Sequence, residues 1–444
     1  MTKTNIKYNR IWQVAYPIIL GSIAQNLINF TDTAFLGRVG EIALGAGAIG
    51  GLFYLAVIML GLGFGIGAQI IIARRLGEGK LKEIGVIVVH TIIFLTFLSI
   101  LVFLLLRYGS VIILKHSIDS NAIYTGAIDF LKIRSFGIFF AFINISFRSF
   151  YVGIAKTKVI TYTTIVLAVV NIFLDYTLIF GKFGMPEMGI RGAALASVIA
   201  EVSAMVYFVL YTITTIDYRK YDLFCFGSFR LKKLNSIFKV SIPMMVQQFV
   251  SLSVWFVFFL FVEKIGEMAL AVSNIIRSVY VIAMVPIWGF ATATNTLVSY
   301  LIGMKREDEV LSLIYKIAVL SFFGVLIIIS MGLLFPRLIM EIYTNQQELI
   351  ELGVPALYIV SVGALFLSVG FVLLNGVSGT GRTNISLTIE LAVLAVYVIY
   401  TYMIIIVFKA DVTGAWTSEL VYGLLLSLVS WGYLKTNRWV KTDI

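Results

Sequence analysis

The sequence predicts an all-α integral membrane protein of twelve spans in two six-helix lobes, and three observations carry that prediction. Only 13% of the 444 residues are charged and 60% are hydrophobic, where a soluble domain carries roughly a quarter charged residues. Apolar stretches of about 20 residues or more, each long enough to cross a bilayer as a helix, recur along the whole chain, and mean hydropathy is +0.99. The first half of the chain also matches the second at one register. A packed soluble interior does not explain the missing charge, because a chain of this length would still need a polar outer surface.

The spans fall near residues 12–36, 44–72, 84–107, 127–151, 159–180 and 190–214, then 237–262, 269–301, 313–335, 353–376, 386–408 and 413–435. They are too long and continuous for the alternating strands of a membrane barrel. The polar, basic opening MTKTNIKYNR precedes an apolar run too long for a signal peptide, so a retained first span is expected. Alternate loops differ in charge. One set holds Lys3, Lys7 and Arg10, then Arg74, Arg75, Lys80 and Lys82, then Lys156 and Lys158, then Arg219, Lys220, Arg230, Lys232 and Lys233. It continues with Lys305, Arg306, Arg382, Lys435, Arg438 and Lys441, while the opposite loops are sparse. The positive-inside rule places both termini in the cytoplasm of a cell-membrane protein, which requires an even number of spans.

This distribution also disposes of the obvious reading of a net charge of +11. Nucleic-acid binders gather Lys and Arg on one face or arm; here they punctuate apolar runs, so no nucleic-acid partner is expected. The single Cys225 excludes an internal disulfide framework, and His90 and His116 make no zinc-helix motif. No cofactor is called for, and a monomer is expected. An embedded enzyme would need a nucleophile–base pair or a metal cluster in the spans, and no such constellation is visible.

IWQVAYP at Ile11–Pro17 resembles IFKVSIP at Ile237–Pro243, an offset of 237 − 11 = 226. The same offset lays VGEIALGA (Val39–Ala46) on IGEMALAV (Ile265–Val272), Gly63-Phe64 on Gly289-Phe290, Gly77 on Gly303 and Glu83 on Glu309. GIAKTK (Gly153–Lys158) falls on GTGRTN (Gly379–Asn384) and, after a loop shorter by four residues, GAALAS (Gly192–Ser197) meets GAWTSE (Gly414–Glu419). The predicted organisation is a lobe at 1–216, a cytoplasmic linker at 217–236 and a second lobe at 237–444. Six spans separate the copies, so both run the same way, related by a pseudo-two-fold axis along the membrane normal. That is a design of some secondary transporters, with substrate bound between the lobes.

Into this apolar frame the sequence sets a few carboxylates. Asp32 sits in NFTDTAFLG of the first span; Asn171 and Asp175, at i and i+4 and hence on one helix face, sit in NIFLDYTLIF of the fifth. Ser197 lies in the sixth. A charged residue in a span costs about 2.5–3.5 kcal/mol on insertion scales and by default marks an ion or substrate path. The repeat partners of Asp32, Asn171 and Asp175 are Phe258, Tyr397 and Thr401, so the fold itself does not demand the charges. Two neighbouring carboxylates with little water share a proton or trap a cation, and oxygen ligands of this kind suit a hard ion such as Na⁺. Gln25, Asn26, Asn29 and Asn144 either line a polar cavity or bridge helices. Pro17 frees a backbone carbonyl and favours a kink. Arg277 and Glu419, at similar depth, are expected as an ion pair; Glu201 shares a face with Ser197; His90 is read as a packing residue. The glycines of GLGFGIG (Gly61–Gly67) lack the strand–turn–helix context of a nucleotide loop and read as close helix contacts.

PIILGSIAQNLINFTDTAFLGRVGEIALGA, RRLGEGK, GIAKTK, NIFLDYTLIFG and GIRGAALAS, in this order, resemble the multidrug and toxic compound extrusion (MATE) family, most closely its DinF-like branch. The resemblance implies a MATE/MOP-type fold and efflux of organic, often cationic, drug-like compounds against inward H⁺ or Na⁺. It lays the family's N-lobe cation site on Asp32, Asn171, Asp175 and Ser197, with a backbone carbonyl near Ala193. A substrate cavity would then draw on Gln25, Asn29, Asn144 and Arg148. The acidic residue of the NorM-like branch's seventh span is replaced by Ser251, and Tyr358–Asn375 holds no Asp or Glu, so coupling is expected to rest on the N lobe. The nearest alternative, a lipid-linked oligosaccharide or lipid flippase, calls for several inward cations, for which only Arg134, Arg148 and Arg277 stand as candidates.

Overall fold

The computed structural model describes residues 7–225 and 231–440, and the regular structure among them is helical. The first half runs α1 (Tyr8–Val39), α2 (Glu41–Gly77), α3 (Leu81–Leu104), α4 (Ser110–Lys115), α5 (Asn121–Arg134), α6 (Gly137–Gly153), α7 (Lys158–Phe180) and α8 (Ile190–Thr215). The second runs α9 (Leu231–Glu263), α10 (Glu267–Gly303), α11 (Val310–Leu334), α12 (Pro336–Tyr343), α13 (Gln347–Gly379), α14 (Thr383–Tyr402) and α15 (Val412–Lys435). Among the described residues, eleven helices are long and apolar enough to cross a membrane, α3 and α4 being joined through a π-helical turn at Leu105–Gly109. The pair α5 and α6, bent by 53°, supplies the twelfth span. Of the basic loop residues, Lys3, Arg230 and Lys441 lie outside the described residues, as does the side chain of Lys232.

The repeat is written into the backbone. α2 and α10 have equal lengths at the same offset, since 267 − 41 and 303 − 77 both give 226. Each follows a glycine with nearly the same torsions, φ 141° and ψ 170° at Gly40, φ 140° and ψ 168° at Gly266. Only glycine enters that region without strain, which explains the VGE and IGE signatures at the first turn of each copy. The copies diverge in their fourth spans. α13 is one helix from Gln347 to Gly379, whereas its counterpart breaks between Arg134 and Gly137.

The chain forms two compact units, one of Tyr16–Met245 and one of Met1–Ala15 with Val246–Ile444, so it passes between them inside α1 and inside α9. In the first unit, α2 is wedged between neighbours by its alternating glycines. A Cβ on Gly61 or Gly65 would meet the Phe142 ring or Ile145 and Ser149 of α6, while one on Gly63 or Gly67 would collide with the α9 backbone at Met245 or Ser241. Residues four apart share a helix face, so 61/65 and 63/67 form two separate contact faces. Ser241 Oγ donates to Phe64 O at 3.2 Å across the second. Gly67→Ala should therefore lower the stability of the purified protein by about 1–3 kcal/mol in thermal unfolding. Gly51→Ala, with nothing within 4 Å of the new carbon, should be neutral or slightly stabilising.

At the end of α2 the RRLGEGK loop is tied by charge. Arg75 reaches Glu78 at 2.7 Å and Glu83 at 3.2 Å, and Lys80 reaches Glu78 at 2.9 Å. Partial burial pushes the Glu78 carboxyl up, but the hydrogen bonds and charges of Lys80 and Arg75 win and hold it below the usual carboxylate range. In the copy, Arg306 pairs with Glu309.

Candidate ion-coupling site

All five residues expected at the cation site lie in the Tyr16–Met245 unit, on α1, α7 and α8. Asp175 is fully buried, Asn171 1% exposed and Ala193 3% exposed, with Asp32 and Ser197 half-buried. The Asp32 and Asp175 carboxyl groups are neighbours that act on one another electrostatically. Asn171 Nδ2 reaches Ser197 Oγ at 3.4 Å, joining α7 to α8. Asp32 Oδ1, both oxygens of Asp175 and Asn171 Oδ1 are buried and receive no hydrogen bond. Two ionised carboxylates offer each other only lone pairs. A proton between them turns one into a donor, and a hard cation uses the same lone pairs directly. Either ion completes a set of acceptors that the protein leaves without donors.

A buried ion pair stands beside this pair of aspartates. Arg134, the last residue of α5, binds Glu201 of α8 through both terminal nitrogens, at 2.7 and 2.6 Å. The Tyr54 ring lies 3.9 Å from the guanidinium carbon, and its hydroxyl donates to Glu201 at 3.3 Å. A Cβ on Gly137 would overlap both charged groups, so glycine at the start of α6 makes room for the pair at the break. The positive charge of Arg134 is felt at Asp32 and Asp175, while its terminal N–H groups are directed at Glu201.

The remaining expectations divide. Asn144 Nδ2 donates to the Glu201 carbonyl at 2.9 Å, which bridges α6 to α8, and its Oδ1 has no partner. Gln25 and Asn29 are exposed on one face of α1, and Arg148 is half-buried one turn from Asn144. Pro17 O accepts from Thr161 Oγ1 at 2.7 Å, so α7 fastens α1 at its proline. His90 is fully buried with Nδ1 2.6 Å from Val86 O. The expected pair of Arg277 and Glu419 does not form. Tyr280 and Tyr397 donate to Glu419 at 3.0 Å each, and Arg277 lies over the Phe259 ring at 5.5 Å. Arg277 is exposed, whereas Tyr280, one turn further along α10, is buried against Glu419. Glu390 of α14, buried between Ser251 and Tyr422, escaped the sequence reading; its presence in an apolar span was the available signal. An apolar groove of about 570 Å³ runs along α1 and α7, lined by Leu27, Phe35, Val169 and Tyr176 among others, and contains none of these polar residues.

Two copies of a six-span unit, with a buried acceptor cluster lacking donors in the first, define a polytopic helical transporter of the secondary type. The chain belongs to the MatE family, whose model matches residues 17–177 and 243–403. Those two matches are themselves offset by 226, since 243 − 17 and 403 − 177 agree. The "Probable multidrug resistance protein NorM" of Thermotoga maritima is 26% identical over 443 residues, covering 97% of this chain and 93% of the relative. That of Bacillus subtilis is 29% identical over 241 residues, 53% of each chain. In fold, the chain is similar to a solved structure described as "Outward-facing conformation of a multidrug resistance MATE family transporter of the MOP superfamily", with TM-score 0.88 and 19% identity over 98% of this chain and 96% of that one.

Proposed function

We propose that this protein is a multidrug exporter that uses an inward flow of H⁺ or Na⁺, bound at Asp32 and Asp175, to expel drug-like organic compounds by alternating access. The observation that carries the reading is the buried, donor-free set of Asp32, Asp175 and Asn171 oxygens. In the outward-facing state the ion binds there and weakens drug affinity, so drug leaves; ion release inside restores affinity. Linkage makes this reciprocal, so drug weakens ion binding by the same factor. The names of the NorM relatives support the drug class, and the loop charges support cytoplasmic termini. The flippase reading loses one of its three cations, because Arg134 is engaged by Glu201.

Dye efflux from proteoliposomes, with pH and Na⁺ gradients imposed separately, tests the proposal; export that ignores both gradients defeats it. A proton needs only the carboxylates, whereas Na⁺ also recruits the Asn171 and Ser197 oxygens. Asn171→Leu should therefore abolish Na⁺-driven export and leave most proton-driven export, read in the same vesicles.

A further inference from the structure

The Val246–Ile444 unit holds a second buried polar cluster. Across the repeat, Asp32 falls on Phe258 (258 − 32 = 226), while Ser197, past the shorter loop, falls on Glu419 (419 − 197 = 222). The copy without the aspartates thus has a carboxylate where the first has serine. Phe258 sits against Tyr397 and Trp416, with ring centroids 6.2 and 5.0 Å apart. Glu419 is 1% exposed, and Tyr280 and Tyr397 each donate to one of its oxygens. Glu390, also 1% exposed, is bonded unevenly. Ser251 Oγ at 2.8 Å and the Tyr422 hydroxyl at 2.7 Å both donate to Oε1, while Oε2 is buried with no partner. The Tyr397 and Tyr422 rings, 5.6 Å apart, connect the two glutamates.

Every element packed around them presents neutral groups. α9 offers Ser251, α10 Tyr280, α14 Tyr397 and α15 Tyr422, and α13 approaches Glu419 with Gly363. The nearby cation, Arg277, faces Phe259. Among the described residues neither glutamate has a Lys, Arg or His partner. Two ionised carboxylates without a cation in a span are costly, and the uneven bonding of Glu390 is that of a carboxylic acid. Oε1 accepts two hydrogen bonds as a carbonyl oxygen would, and Oε2 receives none. Na⁺ would need several open oxygens, and of the oxygens of the two glutamates only Glu390 Oε2 is buried without a partner, against four at Asp32, Asp175 and Asn171. We propose that the C-terminal unit carries an exchangeable proton on the Glu390/Glu419 pair, seated on Glu390 Oε2 in this arrangement, as a titrating site separate from Asp32 and Asp175. It stands whether or not Asp32 couples export.

Infrared difference spectroscopy of the full-length protein in lipid nanodiscs, taken through a pH titration, tests this. A carbonyl band of a buried carboxylic acid should fade as pH rises, persist in the Asp32→Asn/Asp175→Asn double variant, and vanish in Glu390→Gln. Glutamine keeps the Oε1 acceptor for Ser251 and Tyr422, so the fold should survive. Tyr422→Phe keeps the carboxyl but removes a donor that favours its anion, so the band should last to higher pH. The proposal is overturned if every titrating band disappears with the two aspartates. It is equally overturned if Glu390→Gln and Tyr422→Phe both leave the parent bands unchanged, or if the Glu390 band does not respond to pH.

Discussion

Asp32→Asn should insert and fold normally yet export no dye in response to either gradient beyond the leak of protein-free vesicles. Asparagine has the shape of aspartic acid but never becomes an anion, so the site is held in the charge state that ion binding would produce. The same change removes the mutual repulsion that makes Asp32 and Asp175 hold an ion between them. Coupling free energies between two ligands of one protein are typically about 1–3 kcal/mol, a factor of roughly 5–150 in affinity. Drug affinity of the parent, measured with a fluorescent organic cation, should shift by a factor in that range between ion-poor and ion-saturated buffer. In Asp32→Asn that factor should fall to about one, with affinity fixed near the ion-saturated value. Gradient-dependent export by a well-folded Asp32→Asn protein would remove Asp32 from the mechanism.

The sequence made the Asp32–Asp175 cluster legible because its carboxylates break a rule of their surroundings. Asp32 and Asp175 interrupt apolar spans, and their repeat partners are not acidic. The glycine contacts of α2 were equally legible, since a run spaced by two gives two faces of a helix. Other features depend on direction around a helix, which depth does not specify. Arg277 and Glu419 match in depth, yet Tyr280, one turn further along α10, is the residue that reaches Glu419, while Arg277 stays exposed over Phe259. Arg134 and Glu201 are 67 residues apart in the chain, on helices that only the fold brings together. The break of the fourth span has no proline to announce it. At the break stands the Arg134–Glu201 pair, with Gly137 leaving it space.

That ion pair should also govern stability and ion binding together. Glu201→Ala leaves the Arg134 guanidinium buried without its carboxylate, a change that typically costs about 3–5 kcal/mol, and thermal unfolding of the purified protein should register it. Replacing both partners, as Arg134→Met with Glu201→Met, removes the stranded charge and should recover most of the loss, because a buried pair exchanged for apolar groups is often neutral. Ion binding should separate the two variants further. In Glu201→Ala the guanidinium is released beside carboxylates that already feel its charge, and it becomes an internal cation competing with H⁺ or Na⁺. More ion should then be needed to lower drug affinity in Glu201→Ala than in the parent. The double variant lacks the competitor, so it should need less ion than Glu201→Ala, and equal requirements in the two variants would confine Arg134 to a packing role. A lower requirement in the double variant would assign Glu201 the role of keeping a cation occupied so that the aspartates stay open to an ion from outside.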